Sequence, residues 1–517
     1  METDAGPKFE DILDVIGDMG PAQILIIVFS IALDATAGLS TNYYIIESGN
    51  PGYFCTPVDR NTSDVSGNAT WNGCPTAKTD CVNVTLFEGY TSPTTEWQFI
   101  CQSRYMSRLL PTLMFAGNLL GIIASGQIGD QFGRRPVLLA SWILNIATTS
   151  ILSVAPSWPV YAFIRIINGI TSGCCSSVAG TLAVEYVGPK WRVFVGLRLG
   201  WRVAHFGIAF FAYFIRQWRH LVLALSLTWI PFFVLACFFL PESSRWLFHK
   251  KRYEDAHKCL TFIAKLNRKP PPDADLVRRV EEEFRVKEAV NSKYSYHDLF
   301  RTRYYAKITL VSMFAWLTSA CIAYGIKTEI PNMTGSLYQN LLIAASVDCV
   351  TRLLAPFVLN VLGRRWSYPV FTAVPVLSMF IILALDLTDY MEGREGIRTG
   401  LALTSYGSIA GVWLLLFVYC CEVYPTVIRN IGMSAMSFMC VLGGIISPQI
   451  GLLSDFHVSL PYVVLGVLGV LTSVVMVAFM PETKGKPLPE ELPPRRVVEE
   501  GKVKEKDETY RMDVTSL

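Results

Sequence analysis

The chain's Leu/Ile/Val/Phe-rich stretches run about 20 residues at a time without becoming amphipathic, and this constrains the fold more than any other feature. A helix that is apolar on every side needs an apolar solvent, and lipid accepts one only when all backbone polar groups bond within the segment. With 517 residues, 51% of them hydrophobic, the sequence reads as an all-α membrane protein. The predicted spans are 22–45, 106–129, 136–155, 157–185, 196–215 and 219–240, then 305–327, 338–361, 367–386, 398–421, 429–451 and 460–480. Met1 to Gly20 is acidic and lacks the basic start of a cleavable signal, so the first span is expected to serve as its own insertion signal.

Lys and Arg give the orientation. The 241–304 segment carries about fifteen of them and the similarly long 46–105 segment about three, which predicts both termini in the cytosol and 46–105 outside. The organisation is then a cytosolic N-terminus (1–21), an N-terminal six-helix half (22–240) holding the large outer loop, a cytosolic loop (241–304) with short surface helices, a C-terminal six-helix half (305–480) and a disordered tail (481–517). The outer loop has glycosylation acceptors at Asn61, Asn68 and Asn83, and an even set of cysteines, Cys55, Cys74, Cys81 and Cys101, where disulfides persist. Two bridges are expected, in any of three connectivities. The other cysteines show no metal-ligand spacing and read as small hydrophobes, so neither metal nor cofactor is expected. A net charge of +3, with the basic residues spread over short loops, argues against a nucleic-acid partner.

A set of polar motifs occurs twice. Gly133-Arg134-Arg135 recurs as Gly363-Arg364-Arg365, Glu185-x6-Arg192 as Glu422-x6-Arg429, and Pro241-Glu242-Ser243-Ser244-Arg245 as Pro481-Glu482-Thr483-Lys484-Gly485. The offsets of about 230, 237 and 240 residues make one half a repeat of the other. Each motif falls at a predicted cytosolic helix end, where carboxylates and guanidiniums pair when that side closes and separate into water when it opens. Asp130, Arg134, Glu185, Arg192, Glu242, Arg245, Arg364, Glu422, Arg429 and Glu482 are therefore the candidate gating residues. Internally repeated transporters hold substrate between their halves and rock one against the other.

Ionisable residues within the spans are the second signal, since each is expensive in lipid unless paired or wetted. Asp34 lies near the middle of the first span, and Arg198, Arg202 and His205 form a stripe on the fifth. Counted from the cytosolic ends, Asp34 and the Arg202/His205 turn reach similar depth, so they could pair. Asp348 and Arg352 sit one turn apart on the eighth span. Arg165, with Gly169 and Gly173, opens the fourth in a spacing that permits close helix packing.

These residues carry a resemblance. The run Gly129-Asp130-Gln131-Phe132-Gly133-Arg134-Arg135 resembles the signature loop of the major facilitator superfamily. The outer loop ending Glu96-Trp97-Gln98-Phe99-Ile100-Cys101, the Pro-Glu-Ser-Ser-Arg-Trp-Leu run at 241–247 and Glu422-Val-Tyr-Pro-Thr-Val-Ile-Arg-Asn430 are similar to its organic cation, anion and carnitine transporter family. The resemblance implies a fold of twelve helices in two pseudo-symmetric halves and polyspecific transport of small organic ions across the plasma membrane. It also places Trp316 and Tyr324 at aromatic positions of a central cavity, puts Asp348 where the family has a glutamate, and sets Ser176 and Gly180 where cation-selective members have bulky aromatics. Val441 stands where cation carriers resemble Asp and anion or carnitine carriers Arg. The loss of either charge predicts a zwitterion, with an organic cation as runner-up. The competing readings are a sugar or polyol porter, which shares Pro481-Glu-Thr-Lys-Gly485, and a receptor-like member without transport. No nucleophile–base pair or phosphate loop suggests an enzyme. The expected partners are an organic ion, membrane lipid and a PDZ protein at Thr515-Ser516-Leu517.

Overall fold

The computed structural model describes residues 9–49, 53–59, 70–71, 79–86, 90–99, 104–188, 191, 199–273, 275–282, 295–388 and 395–486. Arg192, Arg198, Asn61, Asn68, Cys74, Cys101 and the 515–517 terminus lie outside them, and Cys55, Cys81 and Asn83 are described in backbone only. Ten helices among the described residues are long and apolar enough to cross a membrane. One, Leu337–Leu387, turns at Gly363 and counts twice, and Leu199–Phe214 adds one more crossing.

We number the twelve α1 (Pro21–Asn42), α2 (Arg104–Phe132), α3 (Arg134–Leu152), α4 (Trp158–Tyr186), α5 (Leu199–Phe214), α6 (Trp218–Leu227 with Ile230–Phe239), α7 (Arg303–Glu329), α8 (337–362), α9 (364–387), α10 (Glu395–Val423), α11 (Thr426–Ile450) and α12 (Leu460–Phe479). The end of the bundle that carries residues 46–105 is called the loop end, and the end that carries the Gly-Arg-Arg runs the motif end. The loop itself contains β1 (Tyr53–Asp59), β2 (Thr70–Trp71) and β3 (Thr79–Leu86), an antiparallel sheet in the order β2-β1-β3. Within it Cys55 is in register with Thr70 and Val84, and Cys81 with Pro57.

Helix packing follows small residues. In α2 and α4 the backbones come so close that a Cβ on Gly169 would lie 2.2 Å from the Met114 carbonyl oxygen, and one on Gly121 2.0 Å from that of Ile170. The Arg165 guanidinium is wholly buried beside them and meets Glu47 at 3.2 Å, the Ser40 carbonyl at 3.0 Å and Asn168 at 2.8 Å. This charge pins α4 to α1 within one half.

The segments flanking the N-terminal half fold against its motif end. Phe9–Ile16 forms a helix whose Phe9, Ile12, Leu13 and Ile16 are buried, a periodicity of three and four that its acidic opposite face conceals in an acidic leader. It meets the 241–304 segment through Phe9 on Phe248 at 5.9 Å and Glu10 on Arg245 at 2.7 Å. Asn267 then joins the segment to α1, accepting from the Ala22 N–H at 2.8 Å and donating to the Ile16 carbonyl at 2.9 Å.

The close approach of α2 and α4 is testable by contrast with Gly180, where an added Cβ meets nothing within 4 Å. Gly169→Val is expected to cost about 1–3 kcal/mol or more and to lower the melting temperature of the detergent-solubilised protein. Gly180→Ala is expected to leave it unchanged; equal melting of the two variants would remove this account.

Candidate functional site

At the motif end each half builds the same cage from its repeated residues. Gly133 turns the chain from α2 into α3 at a φ of 106°, and Gly363 turns α8 into α9 at 79°, backbone that favours glycine. The first N–H groups of α3 and α9 then need acceptors. Glu242 supplies them for α3, accepting from Arg134 at 2.8 Å and Arg135 at 3.1 Å, and Glu482 for α9, accepting from Arg364 at 2.8 Å and Arg365 at 3.0 Å. A Cβ at either glycine would collide with that carboxylate. The next arginine closes the cage from the other side: Arg135 donates to the Cys237 carbonyl of α6, and Arg365 to the Val477 carbonyl of α12, both at 2.7 Å.

The guanidiniums of the first arginines run sideways. Arg134 pairs with Asp130 at 2.8 Å and Glu185 at 3.5 Å; Arg364 pairs with Glu422 through contacts of 2.7 and 3.0 Å. Glu422 thus engages Arg364 and not Arg429 of its own motif, whose Nε donates to the Tyr424 carbonyl at 3.4 Å. Arg245 is taken by Glu10. The pairs of Arg134 and of Arg364 each lie inside one half. Of the expected gating charges, Asp130, Arg134, Glu185, Arg364 and Glu422 therefore clamp helices of a single half in this conformation.

The halves meet from the loop end down to mid-depth. Arg108 of α2 pairs with Glu329 of α7 at 2.6 Å, and Gln449 of α11 donates to Thr112 of α2 at 2.9 Å. Deeper, Arg202 of α5 binds Asp348 of α8, with Arg352 3.7 Å from the same carboxylate. Asp348 is eleven residues into α8, about 17 Å along it and so near the middle of a hydrocarbon core of about 30 Å. Arg202 thus reaches across to the other half, where the sequence had allowed it to pair with Asp34. Asp34 is buried where α1 touches α5 at Gly200.

Between the seal and this triad lies Lys327, which the span boundaries conceal because it stands at the last residue of a predicted span, where a snorkelling lysine is ordinary. Its Cβ points back along α7 toward the bundle centre. The ammonium is buried, at 4% exposure, donates to Asn42, lies 2.7 Å from His205 Nε2 and sits 5.3 Å from the Tyr406 ring centroid. An ammonium only donates, so His205 accepts through Nε2 and is neutral, with its proton on Nδ1. Aromatic rings line the same level: Tyr324 lies 4.8 Å from Phe115 and 6.4 Å from Tyr44 of the opposite half. Trp316 instead packs on Trp413, 5.2 Å away within its own half, and Val441 is buried on α11, one turn before Gly444 abuts Phe115. The open space at Gly180 matches the missing aromatics on α4.

The comparisons with known proteins agree with this geometry. The family model "Sugar (and other) transporter" matches residues 61–492. The chain is 31% identical over 410 residues to the organic cation transporter protein of Drosophila melanogaster, covering 77% of this chain and 73% of that one. It belongs to solute carrier family 22 of the major facilitator superfamily. Mouse solute carrier family 22 member 6 is 28% identical with 96% of each chain covered, and mouse organic cation/carnitine transporter 2 is 29% identical over 77% of this chain and 70% of that one. The inward open structure of the xylose transporter XylE from E. coli shares the fold, with a TM-score of 0.62, 15% identity, and 90% and 97% of the two chains covered.

Two predictions concern how this family member holds itself together. Burial works to raise the Glu482 carboxyl, but the N–H groups of Lys484, Arg364, Arg365 and Thr483 hold it below its ordinary value of 4.5. A lowered folded value stabilises above the ordinary one and the gain is lost as pH falls through the folded value. Glu482→Gln is therefore expected to melt earlier than wild type near neutrality, with the gap narrowing below pH 4.5; a gap independent of pH contradicts the cage. Asp348→Asn strands Arg202 between the halves and is expected to cost about 3–5 kcal/mol, whereas Arg202→Gln with Asp348→Asn recovers most of it. Thermal melts of these two variants and of Arg202→Gln alone decide, and an additive double variant would show that the pair is not coupled.

Proposed function

We propose that the chain is a plasma-membrane carrier of small organic ions, that it works by alternating access between its halves, and that its substrates present a carboxylate or equivalent anionic group to Lys327. The observation that carries this is the buried Lys327 side-chain nitrogen between the halves, whose direct contacts are Asn42, His205 and the Tyr406 ring. No carboxylate among the described residues reaches it within ion-pair distance, although a buried charge normally has an opposite one. Asp348 is already shared by Arg202 and Arg352, so the centre holds more cationic than anionic groups. An anionic head group supplies the missing charge, and a zwitterion adds a cationic end that the faces of Tyr324 and Tyr44 favour.

Zwitterions and organic anions are thus preferred over simple monocations, in keeping with the neutral Val441. The names of the relatives, which include organic cation and carnitine carriers, support the breadth of the substrate class. The basic 241–304 segment supports a cytosolic motif end and cytosolic termini, with Asn61, Asn68 and Asn83 outside as glycan acceptors. Charge-selective transport is also what separates this reading from a hexose porter or a transport-silent receptor.

Uptake of radiolabelled anions, zwitterions, monocations and hexoses into expressing cells tests it. Lys327→Gln at equal surface expression is expected to lower anion and zwitterion uptake by roughly tenfold or more, the scale of one buried charge-assisted contact, while sparing monocations. Lys327→Arg should keep part of the activity. An unchanged substrate ranking in Lys327→Gln, or hexose uptake alone in wild type, rejects the proposal.

A further inference from the structure

A second site lies away from the central axis. A cleft of about 660 Å³ opens at the motif end where the start of α3, the end of α6 and the helix Tyr253–Leu266 meet. Its wall is apolar and continues the outer surface of the bundle: Phe238 is 75% exposed, with Phe239 and Phe262 beside it. On a membrane-crossing helix such a face is turned to lipid and not to water, so a lipid chain reaches the cleft by lateral movement alone.

The polar lining is cationic. Arg135 lies on the floor, with Nη2 spent on the Cys237 carbonyl and Nε buried without a hydrogen-bond partner. Arg252 and Lys258 stand on the rim, both largely exposed, with Asp255 between them at 2.7 and 3.6 Å. Glu242, the other acid of the lining, takes the N–H groups of Arg134, Arg135 and Ser243 on its Oε1. Three cations therefore face two carboxylates, of which Asp255 stands with the rim cations, at the end of the bundle where the basic loop residues gather.

An apolar wall at membrane depth ending in a basic rim matches an amphiphile with an anionic head. We propose that this cleft binds one anionic phospholipid of the leaflet on the motif side, with its phosphate between Arg135, Arg252 and Lys258 and an acyl chain along Phe238 and Phe239. A free inorganic or nucleotide phosphate would use the rim but leave the phenylalanine wall without a role. The bound lipid fixes the Tyr253–Leu266 helix against α3 and α6, beside the Glu242 cage.

The test uses the full-length protein, purified in a mild detergent and exchanged into nanodiscs of phosphatidylcholine with a graded fraction of phosphatidylserine. The lipid retained per protein on gentle release is read by native mass spectrometry. Wild type is expected to retain one phosphatidylserine in preference to phosphatidylcholine. Arg252→Gln with Lys258→Gln should weaken that preference about 25-fold, at about fivefold per basic group near a membrane surface. Lys265→Gln with Arg268→Gln, basic positions at and just past the end of the same helix and outside the cleft lining, should leave it unchanged. Phe238→Ser, which keeps every charge, should also weaken retention. Equal loss in both charge pairs would reduce the effect to general surface charge, retention unaffected by Phe238→Ser would exclude a seated lipid chain, and displacement of the lipid by inorganic phosphate would make this a small-anion site; each of these overturns the proposal.

Discussion

Each half depends on one carboxylate. A helix that begins within a packed bundle has N–H groups that no preceding turn accepts, and in a membrane protein water is not available to every such end. Glu242 and Glu482 close the starts of α3 and α9 from the ends of α6 and α12. Gly133 and Gly363 precede those starts because a side chain there would occupy the space of the carboxylate. The arginine that opens each helix carries the connection on to Glu185 or Glu422, so three helix ends are tied by one repeated sequence. The cages differ in one respect that the sequence explains. Asp130 shares Arg134 in the first half, whereas position 360 is Asn in the second and Glu422 holds Arg364 alone through a forked contact.

This is why the repeat was legible before the structure. The motifs lie about 230 to 240 residues apart because each is a part of the same device. Span positions were also legible, because an all-round apolar run has no other stable form in lipid. What escaped the reading was any contact whose partners lie far apart and share no pattern. Arg202 and Asp348 each stood out as buried charges, yet sequence separation does not say which helix of the other half faces α5. Lys327 was hidden by its place at a span end, and only the backward tilt of its side chain puts the ammonium inside. The Phe9–Ile16 helix is too short to register as a span, and its buried stripe becomes visible only beside Phe248 and Asn267.

The two kinds of ionic contact divide the labour of a transport cycle. Those inside a half join helices that keep their neighbours, so their energy is the same whichever way the halves lean and they serve to make each half move as one body. Those between halves, Arg108 with Glu329 and Arg202 with Asp348, must be given up when the loop end parts. A buried ion pair suits that task better than an apolar contact of equal area. Its net stabilisation is small because the Coulomb attraction is offset by lost hydration, and on opening the same charges recover that hydration. An apolar seal regains nothing from water and would hold one state too firmly. Lys327 departs from this balance, because it is buried and no carboxylate among the described residues lies within ion-pair distance of it. Under the proposed function, a site short of negative charge in this conformation gives an anionic substrate a differential hold on it, and differential affinity is the only means by which a ligand shifts a two-state equilibrium.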